Sequence, residues 1–351
     1  MLKNKILYVF VACSFILMLG ACNTSKQDTN TINQEEPKTD VNGKNPDQEE
    51  NIDKAEQELA LPTVSLQKGD KGEDVLKLQK ALHQLGYPIT ESSQYDRKTV
   101  WAITDIQIQT DVSAITGIYD EETMHILEKA FTKERSITPE EGLPLQEDKK
   151  IDDDTVTIAN PYEILALVNK QNALPQDYEP TDLVTPNVRF PFVEDLPKKK
   201  MRKIAADALE KMFAAADLEG LDLFAQSGYR SYERQVSLFA VYVTKYGEKE
   251  ANNFSARPGE SEHQSGLTMD VTSPHVNYDL VIEFGETEEG KWLQEHAAEY
   301  GFIIRYPKGK EEITQYQYEP WHLRYVGIKA AKEIMDRGIT LEEYLEKILP
   351  E

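Results

Sequence analysis

The chain has 351 residues, enough for two domains with linkers, and carries 62 acidic against 39 basic residues for a net charge of -23. That balance excludes nucleic-acid binding by counterion release and attachment to anionic lipid through a polybasic patch, because both need clustered Lys and Arg. With only two cysteines, Cys13 and Cys22, the chain has no disulfide framework.

Residues 1–21 read as a secretion signal. Lys3 and Lys5 supply a positive start, and Ile6 to Leu19 is an apolar run too short for a comfortable membrane span. The run ends Leu19-Gly20-Ala21-Cys22, which resembles the lipobox of bacterial lipoproteins. The resemblance implies cleavage before Cys22, a lipid on its sulfur, and a place on the outer face of the cytoplasmic membrane, facing the wall. The alternative is an ordinary secretory signal with a chance cysteine near its end. Residues 22–60 are polar and nearly free of large apolar side chains, so they read as a disordered tether.

Order is expected from about residue 61. Asp74 to Tyr87 has apolar residues at helical spacing and a Gly stop. Two more helices are expected, Asp96 to about Gln109 and Asp120 to about Phe131, with each Asp as N-cap. The unit 61–135 resembles the peptidoglycan-binding domain 1 family, a small three-helix module. The match is carried by Gly69-Asp70-Lys71-Gly72, Leu78-Gln79, Leu85-Gly86-Tyr87, Tyr95-Asp96, Ile106-Gln107, Thr116-Gly117 and Tyr119-Asp120. The family's usual aromatic before the second Gln is Ile106 here, a change that should preserve packing. The resemblance implies binding to the cell wall; a helical spacer without ligand is the alternative.

Residues 136–155 are charged and punctuated by Pro and Gly, so they read as a linker. From 156 to 351 helices and strands mix without a regular βαβ rhythm, which predicts an α+β domain with an antiparallel sheet. A helix is expected over Lys198 to Ala216, with Ile204, Ala208, Met212 and Ala215 on its core face. Leu221 to Ala225 reads as a strand, and Ser231 caps a helix to about Tyr246. Strands are expected at Leu267 to Val271, Phe302 to Tyr306 and Trp321 to Tyr325, with a helix over Lys291 to Tyr300. Gly338 splits the last helices, and Thr340 with Glu343 forms a capping box.

Two segments carry the chemistry. The first is Ser261-Glu262-His263-Gln264-Ser265-Gly266-Leu267-Thr268-Met269-Asp270, and the second is Glu319-Pro320-Trp321-His322-Leu323-Arg324. They offer two of the chain's six His, a carboxylate at coordinating spacing and another close by, the kit for a catalytic zinc site: three protein ligands, an open position for water and a base. Along Leu267 to Thr272 a period of two sends Leu267, Met269 and Val271 to the core and Asp270 to the other side. Gly266 lets His263 fold back towards Asp270. Trp321, Leu323 and Tyr325 share one face of the second segment, His322 and Arg324 the other. Glu319 has the wrong parity for His322's face, and Pro320 leaves room for a bend or bulge that would bring it round.

The pair of segments resembles the VanY-type D-alanyl-D-alanine carboxypeptidase family. So do Gln226-Ser227-Gly228-Tyr229-Arg230-Ser231-Tyr232-Glu233-Arg234-Gln235 and Leu174-Pro175-Gln176-Asp177-Tyr178 upstream. The resemblance implies the zinc DD-peptidase fold of the hedgehog and VanY type, with Zn²⁺ held by His263, Asp270 and His322. It implies Glu319 as general base and Arg230 near the scissile carbonyl or the terminal carboxylate, with Gln235 and Ser261 assisting. His83, His125, His275 and His296 are expected to be packed or at the surface. Tyr300, Tyr306, Tyr316 and Tyr318 either line the cleft or pack.

The function expected is a wall-bound, monomeric zinc D,D-carboxypeptidase that removes the terminal D-Ala of a peptidoglycan pentapeptide. L,D-cleavage of a tetrapeptide and endopeptidase action remain open, as does a non-catalytic wall-binding lipoprotein.

Overall fold

The computed structural model describes residues 60–348 except Asp111 and Asp153. The expected signal, Cys22 and all but the end of the tether lie outside the described residues.

Three helices, α1 (Glu73–Gln84), α2 (Arg97–Ile108) and α3 (Glu121–Phe131), surround a core of Leu78, Leu82, Tyr87, Tyr95, Ile103, Ile106, Tyr119 and Leu127. Ile106 is fully buried, so it fills its place as expected. Both expected caps form: Asp96 accepts from Thr99 N and Asp120 from Thr123 N, each at 2.9 Å. Two buried amides tie the loops to the helices. Gln79 accepts from Ser93 N at 2.9 Å and donates to Gln94 O at 2.7 Å. Gln107 accepts from Thr116 N and Gly117 N and donates to Ile118 O at 2.9 Å.

The stretch read as a linker is packed along α2. Asp105 accepts from Gly142 N at 2.8 Å and Leu143 N at 2.6 Å, and Trp101 Nε1 donates to Leu143 O at 2.8 Å. Ile137, Leu143 and Leu145 lie against the helical core. Its charges face water, while its few apolar residues and backbone N–H groups find α2.

The second domain is built on a four-stranded antiparallel sheet of β1 (Phe224–Ser227), β2 (Thr268–Thr272), β3 (Phe302–Tyr306) and β4 (Glu319–Tyr325), in the order β1-β2-β4-β3. Leu267, Met269, Val271, Trp321, Leu323 and Tyr325 share one core, as the alternation predicts. Helix α4 (Lys203–Leu218) belongs to the same core. It begins five residues later than expected: Pro197–Lys199 form a single 3-10 turn, and Met201–Arg202 pair with Leu183–Val184. Its buried residues are Ala205, Ala206, Leu209, Met212, Phe213 and Ala216; of the expected stripe, Met212 is among them and Ile204, Ala208 and Ala215 pack against the same core partly buried. The apolar face is therefore wider than the expected stripe, and its most buried line runs beside it. The strand β1 likewise starts at Phe224, not Leu221, because pairing runs from Phe224 opposite Thr272.

Helices α5 (Tyr232–Tyr246) and α6 (Glu248–Phe254) follow β1, and Ser231 caps α5 through Arg234 N at 3.2 Å. Helix α7 (Glu288–His296) continues into a 3-10 turn to Tyr300. Helices α8 (Ile328–Arg337) and α9 (Leu341–Ile348) part at Gly338, and the capping box closes with Thr340 N donating to Glu343 at 2.8 Å and Glu343 N to Thr340 Oγ1 at 3.2 Å. Buried Arg202 joins the two domains: it bonds Asp182, the Tyr162 carbonyl and the Ile115 carbonyl of the helical unit.

Candidate active site

The ligand candidates come from neighbouring central strands and the turn before one of them. Asp270 on β2 lies directly opposite His322 on β4. His263 sits in a 3-10 turn, Glu262–Ser265, that ends at Gly266 in the left-handed region with φ 69°. A side chain at Gly266 would also strike Arg202 Cγ at 2.8 Å. This turn folds His263 back onto the sheet. One donor atom each from His263, Asp270 and His322 lies within 4.8 Å of the other two, and all three residues are buried.

The separations are 3.4 Å from His263 Nε2 to Asp270 Oδ2 and 3.3 Å from His322 Nδ1 to Asp270 Oδ1. The second approach lacks hydrogen-bond geometry, so Asp270 Oδ1 is a buried carboxylate oxygen without a donor. Such an atom is costly unless a cation meets it. Two imidazole nitrogens turned towards it complete a borderline N₂O donor set that suits zinc. The residues fit the metal.

The outer nitrogen of each imidazole is also held. His263 Nδ1 lies 2.7 Å from the Gly228 carbonyl, which leaves Nε2 for the site. His322 Nε2 lies 3.4 Å from Glu262 Oε2, which leaves Nδ1. Gly228 has no room for a side chain: a Cβ there would lie 2.4 Å from Lys200 O and 2.8 Å from Met269 Cε.

Glu262 was not singled out in the sequence. It is fully buried and bonded at 2.7 Å to both Arg305 and Arg324, and Arg305 in turn grips Glu342 of α9 with two bonds of 2.9 and 2.7 Å. Burial alone would raise the Glu262 carboxyl, but the two guanidiniums hold it well below the usual carboxylate range. The only signal was its place beside His263, and nothing local pointed to arginines 43 and 62 residues away.

Glu319 reaches the site through the register shift between Ile304 and Tyr306 of β3, where β4 takes two extra residues. Its Oε2 lies 3.5 Å from His322 Nδ1. Burial pushes its carboxyl up to about 7, against the pull of His322. Burial, reinforced by Arg230, pushes His263 down to about 3. Burial also opposes charge on His322, but the neighbouring Asp270 and Glu262 carboxylates outweigh it and raise that imidazole to about 9.

These groups line a cavity of about 160 Å³ together with Arg230, Ser261, Leu238, Tyr242, Tyr306, Tyr316 and Trp321. Arg230 Nη1 donates to Gln235 Oε1 at 2.9 Å. Gln235 does not reach the cavity wall: it is buried behind Arg230, and its Nε2 donates to Ala256 O at 2.6 Å. Its place is to hold the guanidinium, because its amide is shared between that bond and the backbone. Of the four tyrosines, Tyr306 and Tyr316 line the cavity, and Tyr306 lies 4.8 Å from the His322 ring. Tyr300 stacks on Trp292, and Tyr318 packs against Gly285. His83, His125, His275 and His296 sit away from the site beside Glu91, Glu128, Glu289 and Glu299.

The family model described as D-alanyl-D-alanine carboxypeptidase, VanY, matches residues 198–328 and so spans all these groups. A relative from Bacillus subtilis (strain 168), the candidate carboxypeptidase YodJ, is 58% identical over 200 residues, 57% of this chain and 73% of its own. The chain belongs to the VanY family. A further VanY-type relative, the bifunctional D-Ala-D-Ala dipeptidase and carboxypeptidase VanXYC of Enterococcus gallinarum, is 35% identical over 182 residues, 51% of this chain and 92% of its own. Among solved structures, the LdcB LD-carboxypeptidase is 58% identical with a TM-score of 0.56, covering 57% of this VanY-family chain and 94% of that one. A candidate peptidoglycan binding domain model matches residues 71–127, the three-helix unit.

Proposed function

We propose that this VanY-family chain is a zinc carboxypeptidase that removes the terminal D-Ala from a peptidoglycan stem peptide, and that its preferred substrate is the tetrapeptide. The observation that carries the chemistry is the convergence of His263, Asp270, His322, Glu319 and Arg230 on one small cavity. The preference for L,D- over D,D-cleavage is supported by the 58% identity to an LD-carboxypeptidase, against 35% to the D-Ala-D-Ala enzyme.

His263, Asp270 and His322 would hold the ion, which supplies Lewis-acid polarisation of the scissile carbonyl and acidifies water when bound. Arg230 pairs with the terminal carboxylate of the peptide through charge-assisted bonds, and Gln235 keeps it aimed. Glu319 takes a proton from the attacking water and returns it to the leaving amine. A carboxyl near 7 suits both directions of transfer at neutral pH. Ser261 and Tyr306 bound the space left for the departing alanine.

The test is mass spectrometry of muropeptides offered as a mixture of tetrapeptide and pentapeptide, with and without chelator. Chelator-sensitive loss of alanine from the tetrapeptide, restored by Zn²⁺, is expected. Loss from the pentapeptide alone would move the assignment to D,D-cleavage, and loss that ignores the chelator would remove the metal.

The three-helix unit is proposed to hold the enzyme on the wall, and Cys22 to anchor it by lipid to the outer face of the membrane. Cys22→Ala should release the protein into the medium; retention on the membrane would end the lipid-anchor reading.

A further inference from the structure

A second cavity, about 680 Å³, adjoins the catalytic one, and Arg230 and Leu238 line both. Leu183, Leu196, Pro197 and Tyr229 make its apolar wall. Its charge comes from Lys198, Lys200 and Arg234 beside Arg230, against one carboxylate, Glu179. That is the reverse of the chain as a whole, in which acids outnumber bases 62 to 39. Elsewhere the buried arginines are matched: Arg202 by Asp182, Arg305 by Glu262 and Glu342, Arg324 by Glu262. Among the described residues no carboxylate forms an ion pair with Lys198, Lys200, Arg230 or Arg234.

The backbone fixes this cationic wall to the metal site. Gly228 N donates to Lys198 O and Tyr229 N to Lys200 O, each at 2.7 Å, so residues 198–200 run beside 228–229. Gly228 is the residue whose carbonyl orients His263. Lys199 is tied elsewhere, its Nζ donating to Val193 O at 3.1 Å. Lys198 Nζ rests 3.9 Å above the Phe192 ring, which limits its freedom.

We infer that this second cavity receives the part of the substrate that precedes the scissile bond, and that Lys198, Lys200 and Arg234 select peptides with a free side-branch carboxylate. The inference rests on the carboxypeptidase reading. If Arg230 takes the terminal carboxylate in the small cavity, the peptide leaves past Arg230 and Leu238 into the larger one, where three unpaired cations meet whatever acid it carries next. A γ-linked glutamyl residue in a stem peptide offers such a group, and amidation removes its charge.

The zinc-loaded full chain is offered two synthetic tetrapeptides that differ only in whether their side-branch carboxylates are free or amidated. The free acid should be favoured by about five- to tenfold in kcat/KM, mostly through KM. The double variant K200Q/R234Q, both surface positions, should bring the ratio between the two peptides close to one, and added salt should shrink it in the wild type. Equal kcat/KM for both peptides in the wild type, or a preference unchanged in the variant, would overturn the inference. Cleavage of neither peptide would instead refute the carboxypeptidase reading. In that case calorimetric binding to the metal-free chain decides the cavity separately: tighter binding of the acid, lost in the double variant, supports it, and equal binding of acid and amide overturns it.

Discussion

Both domains bury polar side chains, but they bury different kinds for different ends. In the helical unit the hubs are neutral amides, Gln79 and Gln107, that bond backbone groups 9 to 15 residues away and leave their loops satisfied. In the catalytic domain the hubs are charges. Glu262, Arg305, Arg324 and Glu342 bond across 37 to 62 residues, and Glu262 reaches His322, the neighbour of an Asp270 oxygen left without a donor. The first arrangement only holds shape. The second invests in orienting His322 and leaves its neighbour open for a cation, which a purely structural network has no reason to do.

The largest effect expected is on turnover. Glu319→Gln should lower kcat by about 10²–10⁴-fold while binding of the peptide product survives. Equal turnover would strip Glu319 of its role as base.

Next comes stability. Glu262→Gln leaves two buried guanidiniums without their shared carboxylate and should cost about 3–5 kcal/mol in unfolding free energy, read by denaturant titration. The pH sign follows from a carboxyl depressed by Arg324 and Arg305 against the effect of burial. The wild-type advantage should be complete above the unfolded carboxylate's value of about 4.3. It should be lost only as pH falls below that, towards the folded value. A difference that grows in acid would contradict the assignment.

The same variant should weaken zinc binding to the apo chain by about 10–100-fold, because His322 loses the carboxylate charge opposite its Nε2. Competition with a chromophoric chelator reads this without any turnover; unchanged affinity would reduce Glu262 to a structural charge.

The smallest effect belongs to the helical unit. Gln107→Ala should cost about 1–3 kcal/mol for the backbone groups it orphans, and should leave zinc affinity alone. A loss as large as that of Glu262→Gln would erase the contrast between the domains.

Much of this was legible in the chain. The caps at Asp96, Asp120 and Ser231, the capping box at Thr340, and the alternation that buries Met269 and exposes Asp270 to the site are local patterns, set by periods of 3.6 and 2. That His263, Asp270 and His322 would come together was legible because chemistry limits which residue types can form a metal site, and their donor atoms do lie within 4.8 Å of one another. The start of α4 was not, since a 3-10 turn at Pro197–Lys199 and the pairing of Met201–Arg202 with Leu183–Val184 take up its expected first turn. Nor was Gln235's place behind Arg230, because a side chain's reach into a cavity depends on the elements around it.

The sequence by itself determined the helix caps, the buried faces of β2 and β4 and the identity of the chemical groups, because each depends on neighbours within a few residues. Only the tertiary structure decided that Glu319 comes round at a bulge in β4, that Glu262 is gripped by Arg305 and Arg324, and that Lys198, Lys200 and Arg234 gather beside Arg230. Those facts depend on pairing register and on contacts between distant segments, where the free energy of burying a charge is set by whichever partner the fold delivers.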